Sequence, residues 1–224
     1  MCGRYTQTHS GQELAAAFQL TSEPAPPPRY NIAPSQPVSA IIGGREYRIF
    51  QWGLVPSWAK DYKIGYRLIN ARSETAAEKP SFRAAFKRRR CLLPTDGFYE
   101  WQRNASNKKK QPFYIHLRNR PLFAFAGLWE QWEGADGSYL ETCTILTTAP
   151  NELMAPIHNR MPVIIPENEY DRWLSASPLQ VKGLMKPYDA DVMEAYPVST
   201  LVNSPRNEVP DCIVPLESQA EPSR

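Results

Sequence analysis

Apolar and polar positions change their spacing along the chain, with mixed short segments before residue 90 and strand-like patterning after it. Ser10-Gly11-Gln12-Glu13 is a capping box, in which a hydroxyl and a carboxylate each satisfy the other residue's backbone N–H. The apolar residues from Leu14 to Leu20 that follow it predict a short helix. Six prolines lie between Pro24 and Pro37. Each removes a donor and restrains the residue before it, so an extended segment is expected, with Asn31-Ile32-Ala33-Pro34 as an ordered loop. Residues 38–42 and 47–52 flank Gly43-Gly44 and predict a hairpin. Residues 73–89 predict two short helical stretches broken around Pro80.

From Cys91 onward, residues 113–117, 122–129 and 139–148 alternate or run apolar and read as strands. Residues 104–110 form a polar, basic hairpin tip. A helical turn follows Pro150, and Pro166 opens a helix through Glu169, Tyr170, Trp173 and Leu174. Strands without regular crossover helices predict one α+β domain over residues 1–215, followed by a polar, frayed tail at 216–224.

Composition narrows the function classes. The 224 residues are 42% hydrophobic and 22% charged, as in ordinary globular proteins. The longest uncharged apolar stretch, 121–129, has nine residues, whereas a membrane helix needs about 20. No basic segment followed by an apolar run comes after Met1, so neither secretion nor membrane spanning is expected. A net charge of +3 permits a local anion-binding groove but does not suggest wrapping of duplex DNA. Cys2, Cys91, Cys143 and Cys212 form no C-x-x-C pair, and the nearest two lie 52 residues apart. A zinc ribbon or a thioredoxin-like motif is thus unsupported, and four dispersed cysteines read as reduced thiols in the cytoplasm. No metal and no cofactor are expected.

The second residue carries the sharpest chemistry. Methionine before a small residue is ordinarily removed, which would make Cys2 the mature amino terminus with an amine and a thiol on adjacent carbons. An α-amine of reference pKa about 7.8 is about 14% neutral at pH 7, against about 0.04% for lysine, a gain of about 300-fold. With an aldehyde such an amine gives an imine, and the thiol can close on it to a five-membered ring, a closure helped by effective molarities of about 10⁵ M or more. By position alone, the plainer reading is an incidental small residue.

Partners for such a nucleophile are present. Asn70-Ala71-Arg72-Ser73-Glu74 offers an amide and a guanidinium on a strand end or loop. Glu100 stands between Tyr99 and Trp101, where desolvation would raise its pKa toward acid/base use; a paired edge-strand carboxylate is the ordinary alternative. His158 lies in a proline-bounded loop beside Arg160, whereas His9 and His116 read as structural. Arg83, Lys87, Arg88, Arg89 and Arg90 read as a solvated helix face. Arg4, Arg72 and Arg160 instead lie inside candidate segments, interspersed with Trp52, Trp58, Tyr99 and Trp101. Aromatic faces and guanidinium groups suit single-stranded nucleic acid, although most such aromatics belong to cores. Phosphate-loop, HExxH and GxSxG motifs are absent.

Met1-Cys2-Gly3-Arg4-Tyr5, Arg29-Tyr30-Asn31-Ile32-Ala33-Pro34, Trp52-Gly53-Leu54-Val55-Pro56-Ser57-Trp58, Asn70-Ala71-Arg72-Ser73-Glu74, Asp96-Gly97-Phe98-Tyr99-Glu100-Trp101 and His158-Asn159-Arg160-Met161-Pro162 occur in that order. The chain thereby resembles the SOS response-associated peptidase (SRAP) family of abasic-site processing proteins, from Cys2 to about Val198. The resemblance implies a single domain of mostly antiparallel strands in a barrel-like core with short flanking helices. It implies that Cys2, freed of Met1, attacks the ring-opened aldehyde of an abasic site in single-stranded DNA and closes a thiazolidine. Asn70 would orient the sugar and amine, Glu100 would act as acid/base, and His158 would shuttle protons in formation and reversal. Arg4, Arg72 and Arg160 would hold phosphates, while Pro34 and Trp58 would shape the DNA path, with replication-fork junctions among the expected substrates. Ala59 stands after Trp58, where the resemblance leads to the expectation of a second aromatic in some relatives; its absence here would weaken any wedging of the duplex beside the lesion. Self-removal of Met1 and a β-elimination lyase activity are further implications, and a monomer is expected. Two other readings stay open: a peptidase acting on other proteins through Cys2, Glu100 and His158, and a non-catalytic reader of single strands.

Overall fold

The computed structural model describes residues 2–103 and 110–216. In chain order its elements are β1 (Tyr5–Gln7), α1 (Gly11–Phe18), β2 (Arg29–Ile32), β3 (Pro37–Ile42), β4 (Glu46–Trp52), β5 (Asn70–Arg72), α2 (Arg83–Arg88), β6 (Arg90–Thr95) and β7 (Gly97–Arg103). There follow β8 (Lys110–Leu117), β9 (Phe123–Glu133), β10 (Tyr139–Thr148), β11 (Met161–Pro162), β12 (Ile164–Ile165), α3 (Tyr170–Ser175), α4 (Pro178–Val181) and β13 (Met193–Pro197). Strands β4, β3, β6, β9 and β10 pair in that sequence, and β10 also pairs in parallel with β4, which closes a five-stranded barrel. A second, antiparallel sheet runs β13-β8-β7-β1-β2. The fold is therefore the barrel-like α+β domain expected from the sequence.

Strand alternation sorts the core into clusters. Leu92, Ala124, Ala126 and Leu128 pack with Leu14, Phe86 and Trp173 from the helices. Their neighbours Cys91, Leu93, Phe123 and Phe125 pack with Tyr5 and Phe98 of the second sheet. On β7 the same period sends Phe98 to this second cluster, while Tyr99 packs on the opposite side against Tyr114 and Val202. Glu100, two residues after Phe98, returns to the Phe98 side and is 2% exposed.

The local signals at α1 and the β3–β4 hairpin hold. Ser10 caps α1 reciprocally with Glu13, whose carboxylate accepts from Ser10 N at 2.8 Å. Other expectations need correction. Asn31 and Ile32 belong to β2 rather than to a loop, because Ile32 pairs with Tyr5 and the Glu208 carboxylate accepts from Asn31 N at 2.7 Å. Residues 73–82 form hydrogen-bonded turns, and only α2 is helical in this stretch. Pro80 has no N–H to continue a helix through it. The basic run is not one solvated face. Arg90 enters β6 buried and donates to Trp173 O at 2.6 Å, while Arg89 pairs with Glu130 at 2.6 Å. The expected hairpin tip (except Lys110) and most of the tail lie outside the described residues. Among the described residues no helix is long and apolar enough to cross a membrane.

Candidate active site and nucleic-acid groove

Tyr99 N donates to Arg4 O at 3.0 Å, which carries the β1–β7 ladder one step beyond the Tyr5↔Phe98 pair. The same register puts Gly3 opposite Glu100. The amino-terminal strand thus delivers Cys2, fully buried, to the side of β7 that carries the carboxylate.

Asn70 arrives from the barrel. Its strand runs parallel to β10 with Ile145 opposite, and Trp52 Nε1 donates to Ile69 O at 2.8 Å just before it. Ala71 packs toward the helices, so Asn70 faces the other way, and its Nδ2 donates to Cys2 O at 2.8 Å. Its Oδ1 is buried and makes no hydrogen bond to a described residue.

His158 sits at the end of a braced turn. Asn151 Oδ1 accepts from Met154 N at 2.9 Å, and His158 N donates to Met154 O at 2.8 Å. Arg160 N donates to His158 Nδ1 at 3.1 Å. The same Nδ1 lies 3.2 Å from Arg160 O, so this ring nitrogen can accept from one backbone group of Arg160 or donate to the other, according to the tautomer. Glu100 and His158 line one cavity together with Trp101, Arg103 and Lys110.

The electrostatics follow from burial. Desolvation raises the Glu100 carboxyl to about 7, against the opposing positive charges of the amino terminus and Lys110. Burial, then the Glu100 charge, pushes the Cys2 thiol far above its ordinary range, so it stays protonated. Burial, then the amino-terminal charge, lowers His158, which favours the neutral ring at pH 7. The site therefore holds a carboxyl that gains and loses a proton near neutrality, a neutral imidazole and an intact S–H. Among the described residues no three His, Cys, Asp or Glu side chains gather as metal ligands do.

A second depression, lined by Gly3, Arg4, Pro34, Trp101, Lys110 and Asn203, shares Trp101 and Lys110 with the Glu100–His158 cavity, so the two form one groove. Arg4 is held by internal acceptors: Asn31 Oδ1 at 2.7 Å and Val202 O at 2.6 Å. Its guanidinium lies 5.9 Å above the Trp101 ring, and Trp101 Nε1 donates to Asn203 Oδ1 at 2.7 Å. Arg160 donates to both carboxylate oxygens of Glu74, at 2.6 and 2.9 Å, and to Thr147 O at 2.6 Å. Arg72 is exposed at the end of β5.

Trp58, 58% exposed, does not line this groove; it borders Lys60, Lys63 and Arg67, and its indole N–H donates to Pro80 O at 3.4 Å. Its loop is closed by a glycine pair, since a Cβ on Gly53 would stand 2.8 Å from Gly65 O. The structure thus brings Cys2, Asn70, Glu100, His158, Arg4 and Pro34 together and leaves Trp58 out of the lining of their groove. Sequence reasoning missed Lys110, Asn203 and the Glu74 clamp. Lys110 stands opposite Arg103 in the β7–β8 register, a pairing that sequence alignment of the two strands would have found. Nothing local announces Asn203.

A family model described as SOS response associated peptidase (SRAP) matches residues 1–205. The chain is 49% identical over 222 residues to the abasic site processing protein YoqW of Bacillus subtilis, covering 95% of this chain and 99% of that protein. It is 35% identical over 192 residues to the abasic site processing protein HMCES of Gallus gallus, covering 75% of this chain and 56% of that one. An X-ray structure of a Bacteroides thetaiotaomicron protein matches with a TM-score of 0.88 at 29% identity, over 96% of this chain and 100% of the other. On these matches, the chain belongs to the SRAP family.

Proposed function

We propose that this SRAP protein processes abasic sites in single-stranded DNA by attaching Cys2 covalently to the ring-opened sugar. The observation that carries the reading is the meeting of Cys2, held at its carbonyl by Asn70, with a buried Glu100 carboxyl that titrates at about 7. The names of YoqW and HMCES, both abasic site processing proteins, support the choice of substrate.

Loss of Met1 turns the Cys2 nitrogen into a primary amine. Ionised Glu100 takes a proton from the ammonium form, and the freed lone pair attacks the aldehyde carbon while the carbonyl electrons move to oxygen. The adduct's nitrogen passes a proton to that oxygen, relayed by His158 or Glu100, to give a carbinolamine; protonated Glu100 then donates to the hydroxyl, which leaves as water, and takes the remaining proton from nitrogen to leave an imine. The Cys2 S–H then adds across C=N, sulfur to carbon and hydrogen to nitrogen, which closes a thiazolidine without further loss. One water leaves overall, and nothing is oxidised or reduced. A ring closed by the thiol is harder to hydrolyse than an open imine. The imine also acidifies the neighbouring sugar C–H, which accounts for β-elimination as a side activity. The name peptidase fits self-removal of Met1 at the same groups. The groove of Arg4, Pro34, Trp101 and Lys110, with Arg72 and Arg160, receives the strand.

Intact-mass measurement after mixing with an abasic oligonucleotide tests this. The expected product is a heat-stable adduct at the summed mass less one water, absent in Cys2→Ala. A heat-stable adduct of equal yield in Cys2→Ala overturns the reading.

A further inference from the structure

The chain that follows β13 forms a strap over the far side of the second sheet. Val198 bridges Pro215, and Leu216 N donates to Pro197 O at 2.9 Å, so the strap is closed where it leaves the sheet and where it returns. Val202 and Cys212 pack on Tyr99 and Tyr114 beneath it. Covering that apolar face requires only such side chains. The polar groups of the strap have a different destination.

They meet Arg4 and Trp101 at the edge of the groove. Val202 O accepts from Arg4 Nη1 at 2.6 Å, Asn203 O from Arg4 Nη2 at 3.2 Å, and Asn203 Oδ1 from Trp101 Nε1 at 2.7 Å. With Asn31 Oδ1, these acceptors of Arg4 are all uncharged, and no carboxylate pairs with it among the described residues. The guanidinium is therefore fixed in direction while its positive charge stays available to an anion. An arginine side chain has many rotamers, so fixing it beforehand removes an ordering cost from binding.

Glu208 anchors this arrangement from behind. Its Oε1 accepts from Tyr30 N and, at 2.7 Å, from Asn31 N, while its Oε2 accepts from Arg29 Nε at 2.9 Å. Arg29 balances the carboxylate, which leaves the charge of Arg4 uncancelled. Two routes lead from Glu208 to the groove. Along one, the buried Asn31 places Nδ2 2.9 Å from Ser204 O and from Asn207 O, and turns Oδ1 to Arg4. Along the other, Arg29 Nη2 donates to Gln36 Oε1 at 2.6 Å, and the same oxygen accepts at 3.0 Å from the N–H of Ala33, the neighbour of Pro34.

We propose that Glu208 is a positioning residue for strand binding, holding Arg4 through Asn31 and Pro34 through Arg29 and Gln36. The inference rests on the function proposed above for its choice of DNA as the occupant. Two measurements test it: anisotropy titrations of an undamaged single-stranded oligonucleotide across a salt series, and the limiting rate of adduct formation at saturating abasic oligonucleotide. Glu208→Ala is expected to raise the dissociation constant by about tenfold, as for loss of one charge-assisted hydrogen bond. It is also expected to flatten the slope of log K against log[salt] by about 0.7, one phosphate contact on a single strand, with the limiting rate unchanged. Glu208→Gln keeps an acceptor for both backbone N–H groups and is expected to recover the parent slope. In an Arg4→Gln background, Glu208→Ala is expected to leave the slope as it is. Where Glu208→Ala melts below the assay temperature, Gln36→Ala carries the test, with a rise of about fivefold in dissociation constant at an unchanged slope. An unchanged dissociation constant in the variant assayed overturns the proposal. So does a further loss of slope in the Arg4→Gln background, or a fall in limiting rate with affinity intact. A parent chain that binds single strands but forms no abasic adduct removes the function proposed above and leaves the coupling of Glu208 to Arg4 standing.

Discussion

Asn70 reaches back 68 positions to donate its side-chain N–H to the Cys2 carbonyl oxygen at 2.8 Å. The bond ties the barrel to the amino-terminal strand of the second sheet, so Cys2 is oriented by a strand paired with β10 rather than by a loop. The amide's Oδ1, buried on the same side chain, remains able to accept a proton-bearing group of the substrate.

Asn70→Ala removes the hold on the Cys2 backbone. A neutral hydrogen bond contributes about 1 kcal/mol, so adduct formation is expected to slow by about fivefold, with a small change in melting temperature. Asn70→Asp keeps the shape but loses the donor and is expected to be slow as well. Stopped-flow or quenched gel assays of adduct formation check both. An unchanged rate in Asn70→Ala removes Asn70 from the site.

Glu100 ties stability to pH. Its folded value of about 7 lies above the ordinary carboxylate value of 4.5. Between those two values the unfolded chain releases the proton while the folded chain keeps it, so stability falls as pH rises through this window. At 1.36 kcal/mol per unit the loss amounts to about 3 kcal/mol above pH 7. Glu100→Gln cannot ionise, so it is expected to be the more stable protein at pH 8, with a smaller difference at pH 5. It is also expected to lose the limb of the adduct-rate profile centred near pH 7. Denaturant unfolding at the two pH values and the rate profile check this.

Arg160 is poised between two anions. Its bidentate hold on Glu74 lowers the Glu74 carboxyl, through hydrogen bonds first, yet Glu74 is half exposed and such pairs contribute little in water. A phosphate can therefore displace it. Glu74→Gln is expected to tighten DNA binding and to steepen the salt slope, by about 0.7 for one added phosphate contact. Arg160→Ala is expected to weaken binding. Weaker binding in Glu74→Gln would show that the clamp itself, not the freed guanidinium, serves DNA.

Trp58→Ala is expected to leave the melting temperature nearly unchanged, because the indole is mostly exposed. Loss of a stacked base is worth about 1–3 kcal/mol, or about five- to 150-fold in affinity for a single strand. Equal affinity for a long single strand would place Trp58 off the DNA path.

What the sequence made legible was local. The capping box at Ser10, the diglycine between β3 and β4 and the aromatics around Glu100 each act within a few residues, and each led to the correct element or environment. The contacts that the sequence concealed are distant ones. β10 closes the barrel by pairing with β4, some ninety positions earlier, and Arg4 donates to Val202 O across 198 positions. Arg90 shows the limit from the other side. Its neighbours suggested a solvated charge, but entry into β6 buried it against the carbonyls of Trp173 and Phe86.

Peptide mapping of the purified adduct by tandem mass spectrometry bears most directly on the covalent attachment. Met1 is expected to be missing and the sugar remnant to sit on Cys2 alone, with the residue's amine and thiol both blocked. A remnant carried by a lysine, or by a chain that still begins with Met1, would contradict it.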